Sequence, residues 1–174
     1  MKYWAWVLLI TATISNAQST TAKPCTGDNY RQFDFWIGEW DVYGINGNKA
    51  GDSKISLILD SCIILEEWVS VTKPGVFTYK GKSFNTYNSQ AKQWQQLWVD
   101  NTGGSTHYLY GSYSEGKIVF QTSLPSSANE SLQIDRLSFF ALDTNRVRQL
   151  GEQSKDNAKS WVTKYDLEYR RKNN

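Results

Sequence analysis

The feature that most constrains this chain is a rhythm. Short runs rich in β-branched and aromatic residues recur from residue 39 to residue 171, each closed by turn formers. No window carries apolar residues at i, i+3, i+4 and i+7 over three turns, so an amphipathic helix has nowhere to form. The runs at about 39–44, 54–60, 62–72, 82–88, 92–100, 106–113, 117–122, 135–142, 146–153 and 161–171 read as strands. Asn46-Gly47-Asn48, Lys73-Pro74-Gly75, Thr102-Gly103-Gly104, Ser114-Glu115-Gly116 and Asp143-Thr144-Asn145 are among the turns that divide them at hairpin spacing. A meander of that size leaves two long unpaired edges, and closing it on itself removes them. The expectation is an all-β fold, a single antiparallel up-and-down β-barrel of about 8–10 strands. The Ser-rich piece Ser123–Ser131 is the longest irregular one and a candidate lid over one mouth.

The chain starts MKYWAWVLLITATISNA, with Lys2 ahead of an apolar run and Ser15 and Ala17 at signal-peptidase spacing. This predicts a secretory signal over 1–17 cleaved after Ala17, an N-terminal arm over 18–32 and a barrel domain over 33–172. The apolar run is too short for a membrane span. The expected location is therefore secreted or periplasmic. The formal net charge is +2, and basic residues are scattered apart from Arg170-Arg171-Lys172. Nucleic acid is not an expected partner, because phosphate recognition needs a clustered basic face. Two cysteines and one histidine cannot furnish a metal centre, so no metal or cofactor is expected. In an oxidising compartment Cys25 and Cys62 are expected to form a disulfide that pins the arm to the body.

The segment Arg31–Gly44, RQFDFWIGEWDVYG, places Gly38-Glu39-Trp40 at the start of the first run. A G-x-W there resembles the calycin superfamily, the lipocalins and their relatives. The longer series FDFWIGEWDV, CIILEEW, WQQLWVDN and VRQLGEQSKD, in that order, resembles a family of exported bacterial proteins with an FDFWxGxWDV start and no assigned activity. The resemblance implies a calycin-like barrel in which Gly38 and Trp40 are structural and the tryptophan plugs the closed end. It also implies an arginine from a late strand over that tryptophan, with Arg170 or Arg148 as candidates. Nitrobindin-type haem barrels are similar in outline, but they continue G-x-W with x-G-x-G and carry a late histidine. Here Asp41-Val42-Tyr43-Gly44 follows, and His107 lies mid-chain.

Parity separates the two faces of a barrel wall. Along 92–100, Lys92, Trp94, Gln96, Trp98 and Asp100 share one face. Tryptophan alternating with an amide and a carboxylate suits a wall that stacks a flat apolar ligand and bonds its polar edge. In the run from Cys62, one of Glu66 and Glu67 is expected to enter the interior and pair with Arg148 there, Glu67–Arg148 or Glu66–Arg148. Glu39, Glu66, Glu67 and Asp100 are the acids that a glycosidase-type pair would draw on. No residue is singled out as catalytic; Glu67 and His107 are the acid/base candidates.

The favoured expectation is a lipocalin-like barrel that binds a small hydrophobic or amphipathic molecule through Trp94, Gln96, Trp98, Asp100, Arg148, Glu67 and Tyr87. The alternatives are a barrel enzyme of isomerase or hydrolase type using cavity carboxylates or His107, and a structural or interaction protein without ligand.

Overall fold

The computed structural model describes residues 23–172, so the leader and its cleavage position after Ala17 lie outside the described residues. Ten antiparallel strands follow one another round a closed barrel: β1 Gly38–Gly44, β2 Lys49–Ile58, β3 Ile63–Ser70, β4 Lys80–Asn88, β5 Gln93–Asp100, β6 Ser105–Ser114, β7 Lys117–Gln121, β8 Ile134–Asp143, β9 Arg146–Ser154 and β10 Val162–Arg171. The last strand pairs with the first, Trp40 opposite Arg171, so no edge remains open. The all-β up-and-down barrel is thus the observed fold. β2 starts at Lys49, ahead of the position that composition marks, because the polar stretch before Ile55 is held by its pairing with β1. Among the described residues no helix is long and apolar enough to cross a membrane.

The two ends differ. Short turns join β2 to β3, β4 to β5, β6 to β7 and β8 to β9 at one end, and the arm lies across it. Two 3-10 turns, Asp28–Arg31 in the arm and Asp34–Trp36 just after it, deliver Phe33 and Trp36 into the barrel, both fully buried. Their rings stack at 5.0 Å and meet Phe139 at 4.9 and 4.5 Å, with Trp94 and Phe120 set edgewise or tilted around Phe33. Ten strands enclose a wider lumen than eight, so aromatic rings rather than aliphatic side chains are what can seal it.

The seal is fastened at the β1–β10 seam. Trp40 donates its indole N–H to the Trp36 carbonyl at 2.9 Å. The Arg171 guanidinium lies 4.2 Å over the Trp40 ring and donates to the Ile37 carbonyl at 3.0 Å. Gly38 leaves room for that guanidinium and takes a φ of +143°, which a side chain would resist. The arginine over Trp40 is therefore Arg171, neither Arg170 nor Arg148. Strand parity decides it, since Arg171 stands directly across from Trp40 while Arg170 faces outward over Tyr43.

Cys25 and Cys62 are joined, which ties the arm to the β2–β3 turn, and Arg31 reinforces the tie by donating to the Ser61 carbonyl at 2.7 Å. The bridge closes a loop with a sequence separation of 37. Replacing both cysteines by Ala is expected to cost ~3–4 kcal/mol through the freed unfolded chain, read as a lower urea midpoint. An unchanged midpoint would mean that the aromatic seal holds the arm unaided.

Candidate functional site

Above the seal the barrel is hollow. A cavity of about 520 Å³ opens at the end where the longer β3–β4, β7–β8 and β9–β10 connections lie. Its wall is largely aromatic, from Trp68 of β3, Tyr79 ahead of β4, Trp98 of β5, Tyr108 of β6 and Tyr165 of β10. Three of these rings rest on inward-facing glycines, Trp68 against Gly51, Trp98 against Gly81 and Tyr165 against Gly151. Any side chain at Gly81 would occupy the position of the Trp98 ring, so the absent Cβ is what allows the indole to lie along the wall.

The floor is polar and continuous. Glu66, 2% exposed, receives the Ser53 hydroxyl on Oε1 at 2.9 Å and the Ser83 hydroxyl on Oε2 at 3.0 Å. The Tyr169 hydroxyl lies 3.1 Å from Glu66 Oε1 and 3.0 Å from Gln149 Oε1. From the other side Gln96 donates to Asn85 at 2.7 Å, and Asn85 donates to Ser83 at 3.0 Å. Burial pushes the Glu66 carboxyl up to about 7, against the pull of its three hydroxyl neighbours. A neutral Glu66 completes the network: its proton goes to the Tyr169 oxygen, and the phenol proton goes on to Gln149. Ionised, Glu66 claims the phenol proton and leaves Gln149 Oε1 without its donor.

The rim carries a second acid. Asp100 Oδ1 receives the Thr102 hydroxyl at 2.5 Å, the Thr102 amide at 2.8 Å and the Gly104 amide at 3.2 Å. Its Oδ2 receives the Tyr79 hydroxyl at 3.1 Å and the Trp98 indole N–H at 3.3 Å. The Thr102 hydroxyl and amide lead in holding this carboxyl down at about 2, so it is ionised throughout the neutral range.

Of the residues expected around a ligand, Gln96, Trp98 and Asp100 line the cavity. Trp94 and Tyr87 share their parity but belong to the seal. Trp94 is 2% exposed and donates to Gln32 at 3.0 Å, and Tyr87 packs between Trp94 and Tyr30. The internal Glu–Arg pair does not exist. Glu66 turns inward to hydroxyls, whereas Glu67 turns outward to Lys82 at 2.8 Å. Arg148 lies outside as well, where it grips Asp166 through two bonds of 2.8 and 2.7 Å. Val147 and Gln149 are the buried face of β9, so an inward Arg148 would have to displace them. His107 is exposed on the outer face opposite Leu97, away from the cavity. Glu39 pairs outside with Lys54, so Glu66 and Asp100 are the acids on the lining. Ser123–Ser131 lends no side chain to the lining; Ser126 and Asn157 bond reciprocally at 2.8 Å, fastening the segment to the β9–β10 connection.

Trp68, Tyr108, Tyr165 and Tyr169 went unassigned in the sequence. Alternation on β10 carried a signal for Tyr165 and Tyr169, while Tyr79 lies in a connection where parity says nothing.

Fold and site together define an antiparallel barrel with one sealed end and one open, aromatic-walled cavity. The chain matches no protein-family model, and no curated protein matches it.

The Glu66 shift fixes a sign. Below about 4.5 its carboxyl is neutral in folded and unfolded chains alike; above that the unfolded chain ionises first, so stability falls as pH rises and the loss is complete above about 7. The full loss is on the order of 3 kcal/mol. Glu66→Gln should therefore gain stability over the wild type between pH 4.5 and 8, measured as the difference in urea midpoint at the two pH values. A difference independent of pH would refute the raised carboxyl.

Proposed function

We propose that the protein is an exported, calycin-like carrier that holds a small hydrophobic or amphipathic molecule in the open half of its barrel. One observation carries the reading: a cavity of about 520 Å³, of the size small-molecule sites have, walled by aromatic rings and floored by a hydrogen-bonded polar layer. Trp68, Trp98 and Tyr165 offer flat apolar surface, and Gln96, Asp100 and Gln149 offer orienting polar atoms. The calycin reading is supported by Gly38, Trp40 and Arg171 at the closed end. Export is supported by the Cys25–Cys62 disulfide, since such bonds persist in oxidising compartments.

Native mass spectrometry of the protein recovered from its own periplasm or medium is expected to show an added small-molecule mass that organic solvent releases. Trp98→Ala should weaken rebinding of the released molecule by about 1–3 kcal/mol, the worth of one aromatic contact. Gly81→Ala, which pushes the Trp98 ring into the lumen, should weaken it as well while leaving the barrel folded. Ligand-free protein from every source would end the carrier reading.

A second reading, an isomerase-type barrel, is favoured by Glu66, a nearly neutral-range carboxyl that lines the cavity beside Tyr169 and Gln149. It requires that the recovered molecule be converted, with a pH–rate profile whose limb near 7 disappears in Glu66→Gln. A profile unmoved by that change removes Glu66 from any chemistry.

A further inference from the structure

The lining of the cavity is one-sided in charge. Among the described residues it includes two carboxyl groups, Glu66 and Asp100, and no lysine, arginine or histidine. Most other acids of the barrel have a cation close by: Asp41 and Asp52 share Lys49 and Lys172, Glu67 has Lys82, Glu152 has Arg136 and Asp166 has Arg148. Glu66 and Asp100 have no cationic partner among the described residues. Hydroxyls and amides share the Asp100 charge without cancelling it.

The surroundings of Asp100 are those that hold a positive charge. Tyr79 and Trp98 stand beside it with ring centroids 6.3 Å apart and planes inclined at 33°. The Trp98 N–H is turned to Asp100 Oδ2, which draws the edge of the indole to the carboxylate and enriches the ring in electron density. Aromatic faces next to an anion attract ammonium groups, most strongly where water is partly excluded. Deeper in, the Tyr108 hydroxyl offers a further polar contact. That residue is 9% exposed and lines the cavity, yet its hydroxyl makes no hydrogen bond among the described residues. Facing the open cavity, that hydroxyl is free to meet a polar atom of the occupant.

Taking the carrier reading as given, we propose that the occupant is an organic cation, an amine or quaternary ammonium on an apolar body. Its charged head lies between Asp100 and the Trp98 and Tyr79 rings, and its body runs inward past Tyr108 toward the polar floor. Anionic amphiphiles such as fatty acids are disfavoured, because a carboxylate in this cavity meets only acids, rings and neutral dipoles.

Isothermal titration of the disulfide-intact protein with octyltrimethylammonium, octanol and octanoate compares three heads on one tail. The cation is expected to bind about tenfold more tightly than octanol, the worth of a partly desolvated ammonium–aromatic contact, and octanoate most weakly. Asp100→Asn should weaken the cation far more than octanol and so remove most of the tenfold difference between them. Because Asp100 also organises the β5–β6 turn, salt dependence in the wild type gives a second readout: added salt should weaken the cation and not the alcohol. Octanol or octanoate binding as tightly as the cation overturns the cation seat while leaving a carrier. Binding of none of the three also overturns it, and the carrier reading then rests on the native mass spectrum.

Discussion

The seam between the first and last strands is the constraint on which the rest of the molecule depends. Closing a ten-stranded meander requires β1 to find β10 across the whole length of the chain, and backbone pairing alone would let that register slip by two residues without turning any side chain over. Arg171 removes the ambiguity. Its guanidinium covers Trp40 and reaches the Ile37 carbonyl, and Gly38 alone leaves it space, so strand pairing, the entry of the arm and the position of the indole are fixed by one side chain. Trp40 in turn holds the Trp36 carbonyl, which places Trp36 and Phe33 in the lumen.

Once that end is solid, the hydrophobic requirement of folding is largely met there, and the other end is free to stay open. The transition between them is the layer through Glu66. The open cavity ends at this layer, and the groups that face it from below are buried rings. A carboxyl at such a boundary is costly as an anion, and the donors from Ser53, Ser83 and Tyr169 reduce the cost without abolishing it. The polar layer thus fixes how β2, β3, β4, β9 and β10 face one another at mid-height, because each contributes one member whose partner is on another strand.

Much of this was legible in the sequence. Ten apolar runs and their turns gave ten strands, and alternation on 92–100 marked the face that meets the lumen. What alternation could not supply was depth: Trp94 and Trp98 point the same way, but one lies in the seal and the other in the cavity, because the arm fills only the lower half. Nor could it choose between neighbours of opposite parity. Glu66 and Glu67 both sit among apolar residues, and the outward choice for Glu67 follows from Lys82 directly across on β4. Charge pairing alone puts Arg148 inside, because a buried acid ordinarily takes a cation as its partner. Three hydroxyls and a shifted protonation state serve instead, a solution that leaves no trace in charge patterning. Extra residues on β2, β6, β8 and β10 also reset parity partway along those strands, so faces read from one end of such a strand do not carry to the other.

The pairing of rings with glycines gives the open half its stiffness. A large side chain facing a hollow would ordinarily sample several rotamers and partly fill it. Here Trp98 is pressed into the space above Gly81, and its N–H is anchored to Asp100 and Tyr79, so both the ring and its edge are held. Tyr165 uses Gly151 in the same way from the opposite strands. Each glycine forgoes the packing its own side chain would give the barrel, a loss of stability that folding alone does not explain. In the proposed carrier role the compensation is a wall whose aromatic surface is already placed, so that little side-chain freedom would remain to be lost on binding.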